Sequence, residues 1–265
     1  MIFLKLGGSL ITEKAHAETP RLDVLRRLAL EIADARQADP ALRLLIGHGS
    51  GSFGHAAAAR RATQHGASTP GQWLGFVEVW RSANRLNRIV VDALSDAGLP
   101  ILAFPPSASA LARNSEVTQM ADLPIQRALG HGLIPLVQGD VAFDSVQGAC
   151  ILSTERVFTW LAARLRPARI LLAGAEAGVF SDFPANATLL PQVSQHDLAH
   201  QRVGASAAVD VTGGMAEKVR TALEWSRADP GVEIHIFSGE DPGQLRSALL
   251  GGRPGTQVVW LPGKG

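Results

Sequence analysis

A glycine-rich stretch near the N-terminus limits the possible folds more than any other part of the sequence. Residues 47–55 read GHGSGSFGH, with four glycines and two serines among nine residues. A largely apolar run at residues 42–46 precedes them, and four alanines at residues 56–59 follow. This order predicts a strand, a loop and a helix. Such a loop presents backbone N–H groups and a helix N-terminus, which bind anions.

A second loop of the same kind lies at the start of the chain. Residues 2–4 are apolar and predict a strand, and Lys5, Gly7, Gly8 and Ser9 follow it. Since each loop suits one anionic group, the pair predicts two phosphoryl groups that face each other.

The rest of the chain alternates between helical patterns and short apolar runs. The spacing of apolar residues predicts helices at residues 21–38, 72–97, 122–130, 154–165, 216–228 and 244–250. Strand-like runs lie at residues 2–4, 42–46, 101–104, 133–137, 169–173, 233–237 and 256–260, and residues 141–152 predict a hairpin. This alternation predicts an α/β fold with a mainly parallel sheet covered on both faces. Ligands of such sheets bind beyond the carboxyl ends of the strands, where both glycine loops and Asp140 are expected.

The composition indicates a large core and no nucleic-acid partner. Hydrophobic residues make up 46% of the 265 residues and charged residues 18%, which is enough apolar material for a compact fold. The formal net charge is only +1, and basic residues cluster only in short pairs such as residues 26–27 and 60–61. A bound anion is therefore expected to be held by local groups.

The single cysteine and the hydropathy bear on location. Cys150 is the only cysteine, which excludes an intramolecular disulfide and fits a reducing compartment. The first residues lack the pattern of a signal peptide, and no apolar run approaches the ~18 residues of a spanning helix. We therefore expect a cytoplasmic protein without a membrane partner.

Two common phosphate-binding motifs fit the second loop poorly. Residues 49–54 match the dinucleotide fingerprint GxGxxG, but that motif requires a second strand about 30 residues into the unit. The next predicted strand, at residues 101–104, lies far beyond that distance. A Walker loop has a lysine after its last glycine, and none is present here.

The lysines give a more specific signal. The chain has four of them, Lys5, Lys14, Lys218 and Lys264, and arginine supplies the other basic side chains. The first three lie within nine residues of a glycine pair. A lysine beside a glycine loop provides a compact, mobile point charge for a phosphate.

Together these motifs resemble the amino acid kinase superfamily and, within it, the isopentenyl phosphate kinases. They are residues 5–9 with Lys14, residues 48–55, residues 139–141, and residues 210–215 with Lys218, in that order. The histidine that closes the second loop, His55, distinguishes this group from most relatives that phosphorylate carboxylates.

The resemblance implies a three-layer αβα sandwich, with residues 1–265 as one amino acid kinase domain and a homodimer as the assembly. About residues 1–165 are expected on the acceptor side and about residues 166–265 on the nucleotide side. The implied activity is direct in-line transfer of the γ-phosphoryl group of ATP, with Mg²⁺, to isopentenyl phosphate, a small-molecule phosphate substrate, giving isopentenyl diphosphate. Such a reaction requires mainly positioning and charge neutralisation.

The resemblance also implies roles on the donor side. Lys5 and the backbone of Gly7, Gly8 and Ser9 are expected to hold the β- and γ-phosphates of ATP, with Gly51 close by. Lys218 and Gly214 are expected to contact the nucleotide. Lys14 is expected to stabilise the transferred group, and Asp140 to orient the lysines.

On the acceptor side, His55 is expected to hydrogen-bond the acceptor phosphate, with Thr154 nearby. The amides of Ser50 and Gly51 are expected to cradle the phosphate. No strong general base is needed, because the attacking phosphate oxygen is already ionised near neutral pH. The helix at residues 72–97 is predicted to place two tryptophans on its inner face, and in the family this region surrounds the prenyl chain. Its candidate tail contacts are Trp73, Phe76 and Trp80. His48 is interpreted as structural.

Two segments depart from the family pattern. Residues 153–156 read STER where the family often has SGDD, and they resemble the fosfomycin kinases, which phosphorylate a phosphonate. Residues 173–179 lack the usual aspartates, so the nucleotide-side acid is absent or replaced by Glu176. The alternatives are therefore a kinase of another small phosphate or phosphonate such as fosfomycin, or a non-catalytic regulatory module that binds nucleotides.

Overall fold

The computed structural model describes residues 1–54, 66–181, 188–199 and 214–262 of the chain. The helices are α1 (Gly8–Ile11), α2 (Leu22–Ala38), α3 (Pro70–Asp96), α4 (Leu123–Gly130), α5 (Thr154–Leu165), α6 (Gln195–Ala199), α7 (Gly214–Ala228) and α8 (Gln244–Leu249). The strands are β1 (Ile2–Leu6), β2 (Leu44–His48), β3 (Ile101–Ala103), β4 (Ala110–Arg113), β5 (Glu116–Met120), β6 (Ile134–Gln138), β7 (Asp140–Asp144), β8 (Gly148–Leu152), β9 (Arg169–Gly174), β10 (Gln192–Val193), β11 (Glu233–Ser238) and β12 (Thr256–Val258). The other helices and strands predicted from the sequence are present with small shifts at the ends, whereas the helix predicted at residues 56–59 lies outside the described residues.

The main sheet has eight strands in the order β10-β12-β11-β9-β1-β2-β6-β3. Neighbouring strands are parallel except β11 and β12, which are antiparallel. Strand β1 lies between β9 and β2, where Lys5 pairs with Leu172 and Gly47. Because β1 and β2 are parallel neighbours, the two glycine loops leave the sheet at the same edge.

Strand β1 shows why helices cover both faces of the sheet. All of its residues are buried, and successive side chains of a strand point to opposite faces. Leu4 belongs to a core cluster with α2, α3 and α8, whereas Phe3 belongs to one with α4, α5 and α7. The predicted three-layer αβα sandwich is therefore confirmed. Lys5 shares the face of Phe3 and so points toward the α5 layer.

A second sheet of four strands, in the order β5-β4-β7-β8, lies beside the first. The sequence predicts the β7–β8 hairpin but gives no signal for β4 and β5, because Glu116–Met120 is mostly polar. Between those two strands, Asn114 and Ser115 have positive φ angles of 51° and 64°, as a tight hairpin turn requires. The carboxylate of Asp144 accepts hydrogen bonds from their amides at 3.2 and 2.8 Å.

The long helix α3 buries a single face. It begins at a capping box formed by Thr69 and Gln72. Its buried apolar residues recur every three or four positions: Val79, Ala83, Leu86, Val90 and Leu94. Trp80 lies off this line and is 42% exposed, so the prediction that it lies on the inner face is wrong. No helix in the described part of the chain is both long and apolar enough to cross a membrane.

Candidate active site

The two glycine loops pack directly against each other beyond the carboxyl ends of β1 and β2. A Cβ atom on Gly8 would lie 2.4 Å from the backbone nitrogen of Gly51, and one on Gly49 would lie 2.8 Å from the nitrogen of Gly8. Gly51 also has a φ of +49°, which favours glycine. These glycines therefore allow the two backbones to meet.

Thr12 joins the loops through its side chain. Its Oγ1 donates to the carbonyl of Gly8 at 2.8 Å and accepts from the amide of Ser52 at 3.0 Å. The sequence analysis missed this residue. The available signal was a threonine one helical turn after Gly8, where a hydroxyl can reach the carbonyl of the preceding turn.

Four backbone N–H groups at this junction have no hydrogen-bond acceptor within the part of the chain that the structure describes. They belong to Gly8, Ser9, Ser50 and Gly51, all partly exposed. The carbonyl of Ser50 is engaged instead, by the amides of Phe53 and Gly54. Clustered amides of this kind form an anion-binding concavity. These four are among the five backbone groups expected from the sequence to contact phosphates, and the amide of the fifth, Gly7, donates to the carbonyl of Ala173 at 2.7 Å.

Lys5 forms a buried ion pair with Glu155, which lies in the first turn of α5. Burial alone would raise the pKa of Glu155, but the ammonium groups of Lys5 and, less strongly, Lys218 hold it below its ordinary value. Glu155 is therefore an anion that holds the Lys5 ammonium group in place. The sequence analysis missed this contact and treated residues 153–156 only as a departure.

Asp140 has different partners from those expected. Its carboxylate accepts hydrogen bonds from the amides of Ser107 and Val141 at 3.2 and 2.9 Å. Burial raises the pKa of Asp140 in spite of these bonds. The carboxylate that pairs with Lys5 is that of Glu155, and the lysine-orienting role of Asp140 stays a prediction.

A cavity brings together the residues expected on the nucleotide side. Lys5, Gly7 and Ser9 line it from the first loop, and Lys218 and Met215 line it from α7. Residues 172–176 and Ile236 complete the lining. Gly214 is the first residue of α7. Glu176, which is exposed, lines the same cavity as Lys5 and Lys218.

Lys14 is exposed on the connection between α1 and α2. A bridge between Thr12 and Pro20 closes this connection, and the amide of Glu18 donates to the carbonyl of Ser52 at 3.4 Å. The segment that carries Lys14 is thus attached to the second glycine loop.

Thr154 is buried, and its Oγ1 donates to the carbonyl of His48 at 2.7 Å. Its hydroxyl proton is therefore engaged within the protein. His55 and residues 210–213, which carry further predicted contacts, lie outside the described residues.

An apolar cluster lies where α3 meets the second sheet. The rings of Trp73 and Phe76 lie 5.9 and 5.4 Å from the ring of Phe143, and Val79 and Val141 are buried nearby. Of the three tail candidates, the structure groups Trp73 and Phe76, while Trp80 is exposed.

Arg156, the last residue of the STER segment, forms ion pairs away from the loops. Its guanidinium contacts Glu116 of β5 and lies 3.7 Å from Glu217 of α7. Arg156 thus links α5 to β5 and α7.

Comparison with known proteins adds to this geometry. A sequence profile described as the amino acid kinase family matches residues 1–238. The isopentenyl phosphate kinase of Methanothermobacter thermautotrophicus is 34% identical, covering 95% of this chain and 96% of its own length. That of Haloferax volcanii is 32% identical, covering 97% of this chain and 98% of its own.

Solved structures agree with these relatives. An X-ray structure of isopentenyl phosphate kinase matches with a TM-score of 0.83 at 29% identity, covering 98% of this chain and 100% of that chain. The product complex of the T. acidophilum isopentenyl phosphate kinase gives a TM-score of 0.77 at 21% identity, over 97% and 99% of the two chains. At that identity the likeness shows the fold alone.

Proposed function

The chain belongs to the amino acid kinase family, and we propose that it transfers the γ-phosphoryl group of ATP to isopentenyl phosphate, giving isopentenyl diphosphate. Two isopentenyl phosphate kinases more than 30% identical over nearly the whole chain support this activity. The observation that carries it is the contact between the two glycine loops, which groups four amides that have no acceptor among the described residues. A reaction between two phosphates requires such a double cradle.

On the donor side, Lys5, Gly7, Ser9 and Lys218 are assigned to ATP, because they line one cavity. Glu176, which lines this cavity, would offer a carboxylate to the Mg²⁺ that accompanies ATP, since this ion prefers oxygen ligands and retains several waters. When bound, Mg²⁺ neutralises charge on the phosphates. Lys5 supplies a fixed positive charge to the γ-phosphate, and its pairing with Glu155 keeps the ammonium oriented.

On the acceptor side, the amides of Ser50 and Gly51 are assigned to the acceptor phosphate, with His55 as a further donor. Lys14 is assigned to the transferred phosphoryl group, because its segment is attached to the second loop. Holding both phosphates in line supplies most of the catalysis, since the attacking oxygen is already ionised.

The apolar cluster favours isopentenyl phosphate over a small polar acceptor. Trp73, Phe76 and Phe143 offer aromatic surface on the acceptor side, and a branched five-carbon tail gains from such contact whereas fosfomycin does not. The STER segment offers weaker support for a phosphonate kinase, because Glu155 and Thr154 face the protein interior.

The proposal extends to the assembly and location of the protein. We assign about residues 1–165 to the acceptor side and about 166–265 to the nucleotide side of one domain. A homodimer is supported by the family resemblance, and a cytoplasmic location by the single, buried Cys150.

The test compares kcat/KM for isopentenyl phosphate and fosfomycin with Mg-ATP as donor. We expect turnover of isopentenyl phosphate to be preferred, and we expect His55→Ala to reduce kcat/KM on the order of 10²-fold, as loss of one donor to a developing charge does. His131→Ala removes an exposed histidine and is the matched control. Binding of ATP without phosphorylation of either acceptor would favour the regulatory-module alternative.

A further inference from the structure

His48 is the last residue of β2 and lies directly before the second glycine loop, yet the roles assigned above leave it unused. Its side chain is buried, with 1% exposure. Its Nδ1 lies 3.1 Å from the carbonyl oxygen of Gly49, and its Nε2 lies 3.1 Å from the Nδ2 of Asn87 on α3. Both ring nitrogens therefore have partners within the protein.

These two partners determine the form of the ring. A carbonyl oxygen only accepts and an amide NH₂ group only donates, so the ring is neutral with its proton on Nδ1. Burial and, less strongly, the Lys5 ammonium lower the pKa of His48 to about 4 against the opposing effect of the Gly49 hydrogen bond. The ring therefore keeps this form at neutral pH.

The hydrogen bond from His48 sets the direction of the peptide that follows. In the preceding peptide, the Gly49 amide donates to the carbonyl of Leu6 at 3.0 Å, and the His48 carbonyl accepts from Gly139 at 3.0 Å. In the next peptide the ring engages the Gly49 carbonyl, while the Ser50 amide has no acceptor among the described residues. The C=O and N–H of a trans peptide point in opposite directions. A carbonyl drawn inward thus turns the Ser50 N–H outward.

We propose that His48 is a positioning residue of the acceptor site, whose ring holds the Gly49–Ser50 peptide so that the Ser50 N–H faces the acceptor phosphate. Assigning the acceptor to this loop rests on the proposed function. The restraint is needed because Gly49 gives the backbone unusual freedom. Without the ring, the peptide can turn over and present a carbonyl oxygen, which repels an anion.

The test follows the backbone amide resonances of Ser50 and Gly51 by NMR while inorganic phosphate is added to the full chain. In the wild type we expect the Ser50 resonance to shift and the ¹⁵N shifts of the His48 ring to show the Nδ1–H form. His48→Phe keeps the ring size but has no donor. It should weaken phosphate binding at least about tenfold, the contribution of a hydrogen bond to a charged group, and leave ATP affinity unchanged. His48→Gln should restore binding in part, because its amide can donate to Gly49.

His235→Phe is the matched control. His235 is a buried histidine of strand β11, and its ring nitrogens contact the Pro254 carbonyl and the Glu233 carboxylate. Phosphate affinity of His48→Phe equal to that of the wild type, or no response of Ser50 in the wild type, overturns the proposal. If His48→Phe does not fold, Asn87→Leu decides. It releases Nε2 and so leaves the ring proton free to leave Nδ1, and phosphate affinity should follow the ring form. Loss of the Nδ1–H form with wild-type phosphate affinity, or weakened affinity with the Nδ1–H form intact, overturns the proposal.

Turnover of isopentenyl phosphate is measured on the same samples. A wild type that binds phosphate at Ser50 but does not turn over isopentenyl phosphate counts against the proposed function and leaves the role of His48 intact.

Discussion

At the scale of single residues, Gly8 is the position where the two loops come closest. Gly8→Ala places a methyl group 2.4 Å from the nitrogen of Gly51, so the loops must separate. Since a displacement of about 1 Å in a catalytic site can cost on the order of 10²-fold in rate, we expect kcat to fall by that order in steady-state assays. Gly71→Ala, where a Cβ meets nothing within 4 Å, should keep wild-type activity. Similar kcat values for the two variants would contradict the role of the loop contact.

Glu155 provides a second prediction at this scale. Glu155→Gln leaves the buried Lys5 without its partner, and breaking a buried ion pair costs about 3–5 kcal/mol. We expect a lower melting temperature and a kcat reduced by tenfold or more, whereas Glu155→Asp keeps the charge and should retain more of both.

The pH dependence of this pair has a definite sign. The pKa of Glu155 is held below its ordinary value of 4.5. Ionised Glu155 therefore stabilises the fold fully above pH 4.5, and this stabilisation is lost as the pH falls through the lowered pKa of the folded state. The stability difference between wild type and Glu155→Gln, from urea unfolding, should therefore shrink on acidification. A difference that grows would contradict the ion pair as its cause.

The sequence predicted which residues would supply backbone amides and positive charge, but not the side chains that those residues contact. Gly7, Gly8 and Lys5 follow from a local motif, because loop conformation is dictated by neighbouring residues. Glu155 lies 150 positions from Lys5, and their meeting depends on the register of β1 and the packing of α5. Asp140 was assigned to orient the lysines through the family resemblance, which gives no information on its own bonds to the amides of Ser107 and Val141.

At the scale of elements, Asp144 holds together the turns of the second sheet. Its carboxylate accepts four backbone hydrogen bonds, from Asn114, Ser115, Val146 and Gln147. Although burial opposes ionisation, these amides lower the pKa of Asp144 to about 2. Asp144→Asn should reduce the free energy of unfolding at pH 7 by about 2 kcal/mol, the scale of hydrogen bonds to a charged group.

Acidification should reduce this difference. The stabilisation by ionised Asp144 is present above its ordinary pKa of 3.8 and is lost as pH falls toward about 2. Urea unfolding of wild type and Asp144→Asn at pH 7 and pH 3 measures this loss. Equal differences at both pH values would show that the carboxylate charge is not responsible.

Helices and strands were predictable where one spacing of apolar residues ran through the whole segment. Helix α3 and the buried strands have long or continuous apolar patterns, so their positions follow from the sequence. The β4–β5 hairpin was missed because its turn uses positive φ at Asn114 and Ser115 and because a distant carboxylate stabilises it. Trp80 was placed inside because it continues the spacing of three or four residues between apolar positions, yet the buried face of α3 includes its neighbour Val79 instead.

At the scale of the whole molecule, the parallel order β9-β1-β2-β6 brings Lys5 and both glycine loops to one edge of the sheet. Strand β1 is central because it carries Lys5 and the first loop between the nucleotide cavity on one side and the second loop on the other. The alternation of strands and helices predicted this architecture. It could not predict which side chains fill the crevice, since that depends on helix packing over both faces.

The central claim is that one crevice holds ATP and isopentenyl phosphate with their phosphates head to head. The most direct measurement is a crystal structure of the protein with a non-hydrolysable ATP analogue, Mg²⁺ and isopentenyl phosphate. We predict that the acceptor oxygen lies about 3–3.5 Å from the γ-phosphorus, the range of a near-attack geometry, with the amides of Gly8 and Ser9 on the donor and those of Ser50 and Gly51 on the acceptor. An acceptor bound away from the second loop, with no cavity shared with Lys5, would contradict the account.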